Sequence, residues 1–254
     1  MFLSIPSMWS RPDRVRQSLP ALFGNDPQTY RSDFTERKVG VPQLLLVEQP
    51  VKGSSVLPHY HGTDQFQVFI DGSGKLGRQE IKPVSVHYTN RYTGYGPIVA
   101  GEEGISYYVL RPEFDQLITG QYLHFPEKRE ALKQHKTHRR SEIVDGVRVR
   151  TEKELLQFRA PATERLIDAE SDPRDAGLFA EVLLMGSNLQ YTGPEPGRGG
   201  GQVFFVLQGA LLYNSETYSQ RSSLVLTREE KAITFNSGES GLQALVLQYP
   251  KRND

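Results

Sequence analysis

The chain of 254 residues contains no cysteine. Disulfides, thiolate metal sites and cysteine nucleophiles are therefore excluded. Neither sign of charge is in excess, because 30 basic residues balance 30 acidic ones. Proteins that bind nucleic acid or anionic membranes usually carry a basic surface, so we expect neither partner.

Long apolar segments are also absent. No run approaches the roughly 20 residues that a membrane-spanning helix needs. The first residues, MFLSIPSMWS, lack the basic start and the unbroken apolar stretch of a signal peptide. We therefore expect a soluble, cytoplasmic protein.

The chain does contain many short stretches rich in β-branched and aromatic residues. Segments 44–47, 66–70, 105–110 and 203–207 are examples, and Gly, Pro or Asp residues separate them. Short strands with regular turns and little helical periodicity are typical of a sandwich or barrel. The fold class that we predict is all-β.

One spaced pattern occurs twice. Gln65 and Gly72 recur as Gln202 and Gly209. Each residue of the second pair lies 137 positions after its counterpart in the first. The pattern Gly-Glu-x-Gly at 101–104 recurs at 238–241 with the same offset. Agreement at so many spaced positions indicates two copies of one structural unit.

Histidines distinguish the two copies. His59 and His61 lie just upstream of Gln65, whereas the equivalent positions of the second copy hold Pro196 and Arg198. Any chemistry that needs imidazoles therefore belongs to the first copy.

A charged segment separates the copies. Residues 127–133 have the composition of a short exposed helix, residues 135–140 form a basic cluster, and residues 151–156 resemble a capped helix start. Such a segment is typical of a solvated linker, and the alternative is a lid that gathers anions. We predict an N-terminal arm at 1–35, a first barrel at 36–112, a linker at 113–165 and a second barrel at 166–254.

The spacing of His59 and His61 suits a metal site on β-structure. Residues two apart on an extended segment share a face, and Gln65 and Gln67 have the same odd-numbered parity. Imidazole is a ligand for iron, nickel, copper and zinc, and a carboxamide oxygen is a weaker, neutral ligand. The alternative is that both histidines are ordinary polar residues at a strand edge.

The order His59-x-His61, three residues, Gln65, six residues, Gly72 resembles the first motif of the cupin superfamily, with Gln in place of the usual Glu. The segment 94–104 is similar to the second cupin motif, but the position expected for its histidine holds Gly104. The resemblance covers both repeats and implies two tandem cupin-type jelly-roll barrels, joined by a charged, partly helical linker, with a degenerate second barrel.

The resemblance also implies a divalent transition metal (Fe, Mn, Ni or Zn) on His59, His61 and Gln65. His87 is the nearby candidate for a fourth ligand, or alternatively a hydrogen-bonded core residue, and Gln67 is an alternative oxygen donor. We expect the remaining histidines on the surface: His124, His135 and His138.

A neutral Gln65 leaves the full charge of the metal uncompensated, which favours an anionic substrate or a bound hydroxide. The segment 87–95 is rich in tyrosine and contains one arginine. Its side chains, together with Gln67, are the predicted substrate-binding residues: Arg91, Tyr92 and Tyr95. The alternative for the tyrosines is packing in the core.

Three functions are possible. The first is a metal-dependent enzyme (an oxygenase, lyase or isomerase) that acts on a small anionic organic molecule in the first barrel. The second is a non-catalytic bicupin that binds a small anion or sugar. The third is a storage or structural role for a degenerate bicupin. We expect the second barrel to be filled by side chains such as Phe205 and Leu207 and to hold no metal. The resemblance alone suggests a homodimer.

Overall fold

The computed structural model describes residues 3–5, 16–18, 28–117 and 121–252. These residues form two compact units, one within 13–147 and one within 1–12 and 148–254. Strands are numbered β1 to β19 in chain order. Among the described residues, no helix is long and apolar enough to cross a bilayer.

The unit within 13–147 contains eleven of these strands and one helix. They are β2 (Arg16–Ser18), β3 (Tyr30–Asp33), β4 (Gln43–Gln49), β5 (Ser55–Val56), β6 (His59–Tyr60), β7 (Gln65–Leu76), β8 (Gln79–Ile81), β9 (Ser85–Thr89), β10 (Ile98–Arg111), β11 (Gln121–Tyr122), α1 (Pro126–Gln134) and β12 (Ser141–Val144). Most of the predicted N-terminal arm, residues 1–35, lies outside the described residues.

An antiparallel sheet in the order β12-β9-β7-β10-β4-β3-β2 forms the body of this unit, with β5 on β10 and β8 on β7. A second, two-stranded sheet joins β6 to β11. β6 carries His59, and its pairing with β11 sets His59 opposite Tyr122. The described part of the predicted linker thus includes strands, since β12 pairs with β9.

The other unit contains the remaining elements. They are β1 (Leu3–Ile5), α2 (Glu152–Leu155), β13 (Ala162–Ala169), β14 (Leu178–Met185), β15 (Gln190–Thr192), a 3-10 helix (Pro196–Arg198), β16 (Gln202–Tyr213), β17 (Glu216–Tyr218), β18 (Ser223–Leu226) and β19 (Thr234–Gln248). Its antiparallel sheet has the order β1-β18-β16-β19-β14-β13, with β15 on β19 and β17 on β16.

The repeat in the sequence is a repeat in the fold. β7 and β16 begin and end at positions that differ by the same offset as the repeated motifs, and so do β8 and β17. Each long strand, β7 or β16, pairs with an equally placed partner, β10 or β19. Each unit therefore resembles a jelly-roll barrel, as predicted.

Alternation along β7 and β16 decides which side chains enter the cores. In the first unit Phe69 packs in a cluster with Tyr95 and Tyr107, so the odd-numbered face of β7 points inward. In the second unit the cluster takes Phe204 and Val206. The prediction of Phe205 and Leu207 as barrel filling was wrong in register: both are buried, but on the other face of β16.

Candidate metal and anion site

Two imidazoles lie side by side within the first unit. His59 is on β6, and His61 is the first residue after that strand. Their ring centroids are 5.0 Å apart, and the rings are nearly perpendicular. His59 is buried, and the His61 side chain is only 11% exposed. The two histidines named by the sequence motif therefore converge in a protected place.

Hydrogen bonds determine which nitrogen of His59 faces the site. Nδ1 is 2.7 Å from the carbonyl oxygen of Leu57, which only accepts hydrogen bonds, so Nδ1 carries the proton. The lone pair is then on Nε2, where the Tyr95 hydroxyl donates at 2.8 Å.

His61 has the same tautomer for a different reason. Its Nδ1 lies 2.5 Å from Oδ2 of Asp115, an ionised carboxylate that accepts. Its Nε2 lone pair accepts from Nη2 of Arg111 at 3.0 Å. The other carboxylate oxygen of Asp115 accepts from the backbone N–H groups of Gly62 and Leu117, which fixes the carboxylate in place.

Gln65, at the start of β7, links the two halves of the site. Its Oε1 accepts from Nε of Arg111 at 3.0 Å, and its Nε2 donates to the Tyr95 hydroxyl at 2.6 Å. Nη1 of Arg111 donates to Oε1 of Gln43 at 2.5 Å. Among the described residues, no fully buried side-chain nitrogen or oxygen of this network lacks a hydrogen-bond partner.

Burial controls the charge of these groups. It lowers the pKa of His59 to about 3 and, together with the positive charge of Arg111, that of His61 to about 4. Burial alone would raise the pKa of Asp115, but the hydrogen bond from His61 and the nearby charges hold it well below its usual value. Burial also raises the pKa of Tyr95, so at neutral pH the imidazoles and the phenol are uncharged.

His87 and Gln67 lie beside this cluster. Nδ1 of His87 is 2.7 Å from Oε1 of Gln67, and Nε2 is 2.9 Å from the Ser141 hydroxyl. The His87 ring packs against Tyr95, with centroids 5.2 Å apart. Both ring nitrogens are engaged, so a ligand role for His87 would require breaking one of these bonds.

Arg91 and Tyr92 occupy the loop after β9. The backbone N–H of Arg91 donates to Asp64, and that of Tyr92 donates to the His61 carbonyl. The Tyr92 ring stacks on His135, with centroids 3.6 Å apart. Of the predicted substrate-binding residues, only Tyr95 hydrogen-bonds to the imidazole pair. His124 is exposed as predicted, whereas His135 and His138 are half-buried.

Arg111 and Asp115 did not appear among the residues predicted from the sequence. Arg111 ends β10 in the same odd-numbered parity as Ile105, Tyr107 and Val109, which face the core. A charged residue among these inward-facing positions was the feature of the sequence that could have identified Arg111 as a site residue. The equivalent position of the second unit holds Gln248, whose side chain donates to the Gly177 carbonyl.

The second unit has no comparable donor set. All six histidines of the chain lie within residues 59–138, so none belongs to this unit. Gln202, the counterpart of Gln65, donates to the carbonyl of Pro194. The positions that correspond to His59 and His61 hold Pro196 and Arg198, and both residues lie in the 3-10 helix.

The sequence matches no protein-family model and no curated protein sequence. The fold, in contrast, matches solved structures along nearly the whole chain. A bacterial pirin from Escherichia coli in complex with nickel(II) is 10% identical, with 99% of this chain and 100% of that chain covered and a TM-score of 0.56. An oxalate decarboxylase from Lactobacillus farciminis in a formate complex is 14% identical, with coverage of 94% and 84% and a TM-score of 0.58.

Quercetin 2,3-dioxygenase from Acinetobacter baumannii is 14% identical, with 98% of this chain and 79% of that chain covered and a TM-score of 0.51. At such identities the likeness shows the fold alone. The chain thus has the two-barrel fold of these solved structures, which is the fold that the motif resemblance predicted.

Proposed function

We propose that this bicupin is a metal-dependent enzyme that acts on a small anionic organic molecule in its first barrel. His59 and His61 hold a divalent transition metal (Fe, Mn, Ni or Zn), and the reaction is that of an oxygenase, lyase or isomerase. The observation that carries the proposal is the pair of buried imidazoles whose Nε2 lone pairs face the same network.

The chemistry of the donor set fits such an ion. A metal-binding histidine normally donates its other N–H to a carbonyl or carboxylate, which fixes the tautomer. Leu57 does this for His59, and Asp115 does it for His61. The Gln65 amide oxygen and the Tyr95 hydroxyl are the adjacent oxygen donors.

The bound metal would supply Lewis acidity, or dioxygen activation if it is iron. The side chains supply the rest of the chemistry. Tyr95 is a neutral phenol that donates to His59, so it can give a hydrogen bond to a substrate oxygen. Arg111 supplies a positive charge, and burial of the cluster keeps bulk water away from it.

Three proteins of similar structure support this class of function. One of those proteins is described with nickel(II), one as a decarboxylase with formate and one as a dioxygenase. Cytoplasmic location and a homodimer remain predictions.

A second function, a non-catalytic binder of small anions, is favoured by one observation. Nη2 of Arg111 lies on the lone pair of His61 that a metal would use, so the network is complete without an ion.

Metal analysis of protein purified without a histidine tag separates the two functions. We expect stoichiometric iron, manganese, nickel or zinc in the wild type and its loss in His61→Ala. The matched control is His124→Ala, because His124 is exposed and outside the network. A wild type that remains free of metal after incubation with these ions would leave the anion binder as the better account.

A further inference from the structure

Arg111 is a buried cation without a direct anionic partner among the described residues. It is 5% exposed, and its three hydrogen bonds all go to neutral acceptors: Gln65, Gln43 and His61. No carboxylate in the described part of the chain is within ion-pair distance of its guanidinium group.

Two acidic side chains act on Arg111 electrostatically, Asp115 and Asp33, and Asp33 is paired with Arg31 and Arg37. Asp115 influences Arg111 electrostatically, but its two oxygens accept from His61 and from the backbone of Gly62 and Leu117. A buried charge is normally paired, because removal from water is costly unless an opposite charge compensates. The site therefore has a place for an anion.

The guanidinium group can offer that anion a fork of donors. Arginine has five N–H groups, and three of them make the hydrogen bonds to neutral acceptors. Paired N–H groups of a guanidinium match the two oxygens of a carboxylate in spacing and charge. Small carboxylates are thus the ligand class that the residue fits.

The same guanidinium group competes with a metal. Nδ1 of His61 is protonated and bound to Asp115, so Nε2 has the only lone pair of the ring, and Arg111 donates to it. A lone pair that accepts this hydrogen bond cannot also bind a metal. The positive charge of Arg111 opposes a nearby cation as well.

We propose that Arg111 exchanges partners: without an anion it lies on His61 and Gln65, and with a small carboxylate it binds the carboxylate and releases His61 for the metal. This inference rests on the proposed function, because it takes the metal site on His59 and His61 as given. It makes Arg111 the residue that selects anionic ligands and couples their binding to that of the metal.

Isothermal titration calorimetry of the full-length, metal-free protein with Mn²⁺ tests the coupling, with acetate as the anion and perchlorate of equal ionic strength as the reference. In the wild type, acetate should tighten Mn²⁺ binding about tenfold, within the usual range for coupled sites. In Arg111→Gln, Mn²⁺ should bind about tenfold more tightly than in the wild type without acetate, and acetate should have little further effect.

Arg31→Gln is the matched control. Arg31 pairs with Asp33 and makes no hydrogen bond to the imidazoles, although its charge acts on His61 and Arg111. This variant removes one positive charge from the same unit and should keep the coupling of the wild type. Coupling that persists unchanged in Arg111→Gln would mean that acetate binds the metal directly, and would overturn the inference.

The wild type alone can still overturn the inference if Arg111→Gln does not fold. Linkage requires that Mn²⁺ tighten acetate binding by the same factor as acetate tightens Mn²⁺ binding. Mn²⁺ binding that acetate does not affect overturns the role of Arg111 and leaves the metal site intact. Absence of Mn²⁺ binding in every variant and buffer overturns the metal site itself.

Discussion

At the scale of single residues, the site depends on a chain of hydrogen bonds from Asp115 through His61 to Arg111. Asp115 fixes the tautomer of His61 and so leaves the lone pair on Nε2. Arg111 donates a hydrogen bond to this lone pair when no metal occupies it. The negative charge at one end and the positive charge at the other are separated by a neutral ring. Asp115 thus acts on Arg111 through the His61 ring and forms no direct ion pair with it among the described residues.

Stability at acidic pH should follow from three buried histidines. Burial lowers the pKa of His59 and His87 to about 3 and of His61 to about 4. These values lie below the roughly 6.5 of an unfolded chain, so the unfolded state takes up protons first as the pH falls. The unfolding free energy of metal-free protein should be unaffected by these groups above pH ~6.5. Between ~6.5 and ~4 it should fall by about 1.4 kcal/mol per pH unit for each group.

Urea denaturation read by proteolysis and mass spectrometry at several pH values measures this loss within residues 13–147. The variant His87→Gln should reduce the pH slope by about one third, because one of the three groups no longer titrates. A slope that is the same in both proteins, or an unfolding free energy that stays constant down to pH ~5, would contradict the buried, neutral state of the rings.

Residues near each other along the chain were predictable, whereas distant partners were not. His59, His61 and Gln65 form a local motif whose extended spacing places them together. Arg111 and Asp115 are 50 and 54 residues from His61 and reach it only through the tertiary fold. Local periodicity carries no information on such contacts. Gly104, where the motif suggested a ligand, instead lies within β10, at an irregularity of its pairing with β7, and has a φ of 74°.

At the scale of elements, the repeated glycines explain why the long strand pair of each unit has the same irregularity in its register. Gly72 and Gly209 have left-handed φ values of 71° and 74°. A Cβ atom at either would lie 2.1 Å from a backbone oxygen, of Gly104 or of Gly241. The glycines recur in the sequence because β7 approaches β10 closely in one unit and β16 approaches β19 closely in the other.

Alanine at Gly72 should be strongly destabilising, because both the backbone conformation and the clash oppose it. We expect Gly72→Ala to lower the unfolding free energy by about 3–5 kcal/mol in urea titrations. The control is Gly146→Ala in the same unit. Gly146 has a φ of 69° but no atom within 4 Å of its Cβ position, so only the backbone cost of about 1–2 kcal/mol applies. Equal losses in the two variants would show that the clash is absent.

The same elements explain the misassigned side chains of the second barrel. An apolar run such as 203–207 is buried on both faces, so hydrophobicity alone does not tell which parity faces the core. In the first repeat, the polar residues Gln65 and Gln67 alternate with apolar ones and mark the inward face of β7. The inward face of a strand can therefore be predicted where polar residues interrupt the apolar run, as in β7.

At the scale of the whole molecule, two copies of one fold have diverged in their interiors. One unit contains every histidine and a buried network of charged and polar groups, and the other is filled by aromatic and aliphatic side chains. Solved structures match the chain over both units, so the repeat and the fold were predictable from motif spacing. The reaction depends on the substrate that the first unit selects, and the fold hosts many reactions.

The most direct test of this account is anomalous diffraction at the zinc edge from crystals of the full-length protein grown with Zn²⁺. The account predicts a peak about 2.0–2.1 Å from Nε2 of both His59 and His61, with the Arg111 guanidinium moved off His61. Absence of a peak between the two imidazoles, with Arg111 still donating to His61 and Gln65, would contradict it.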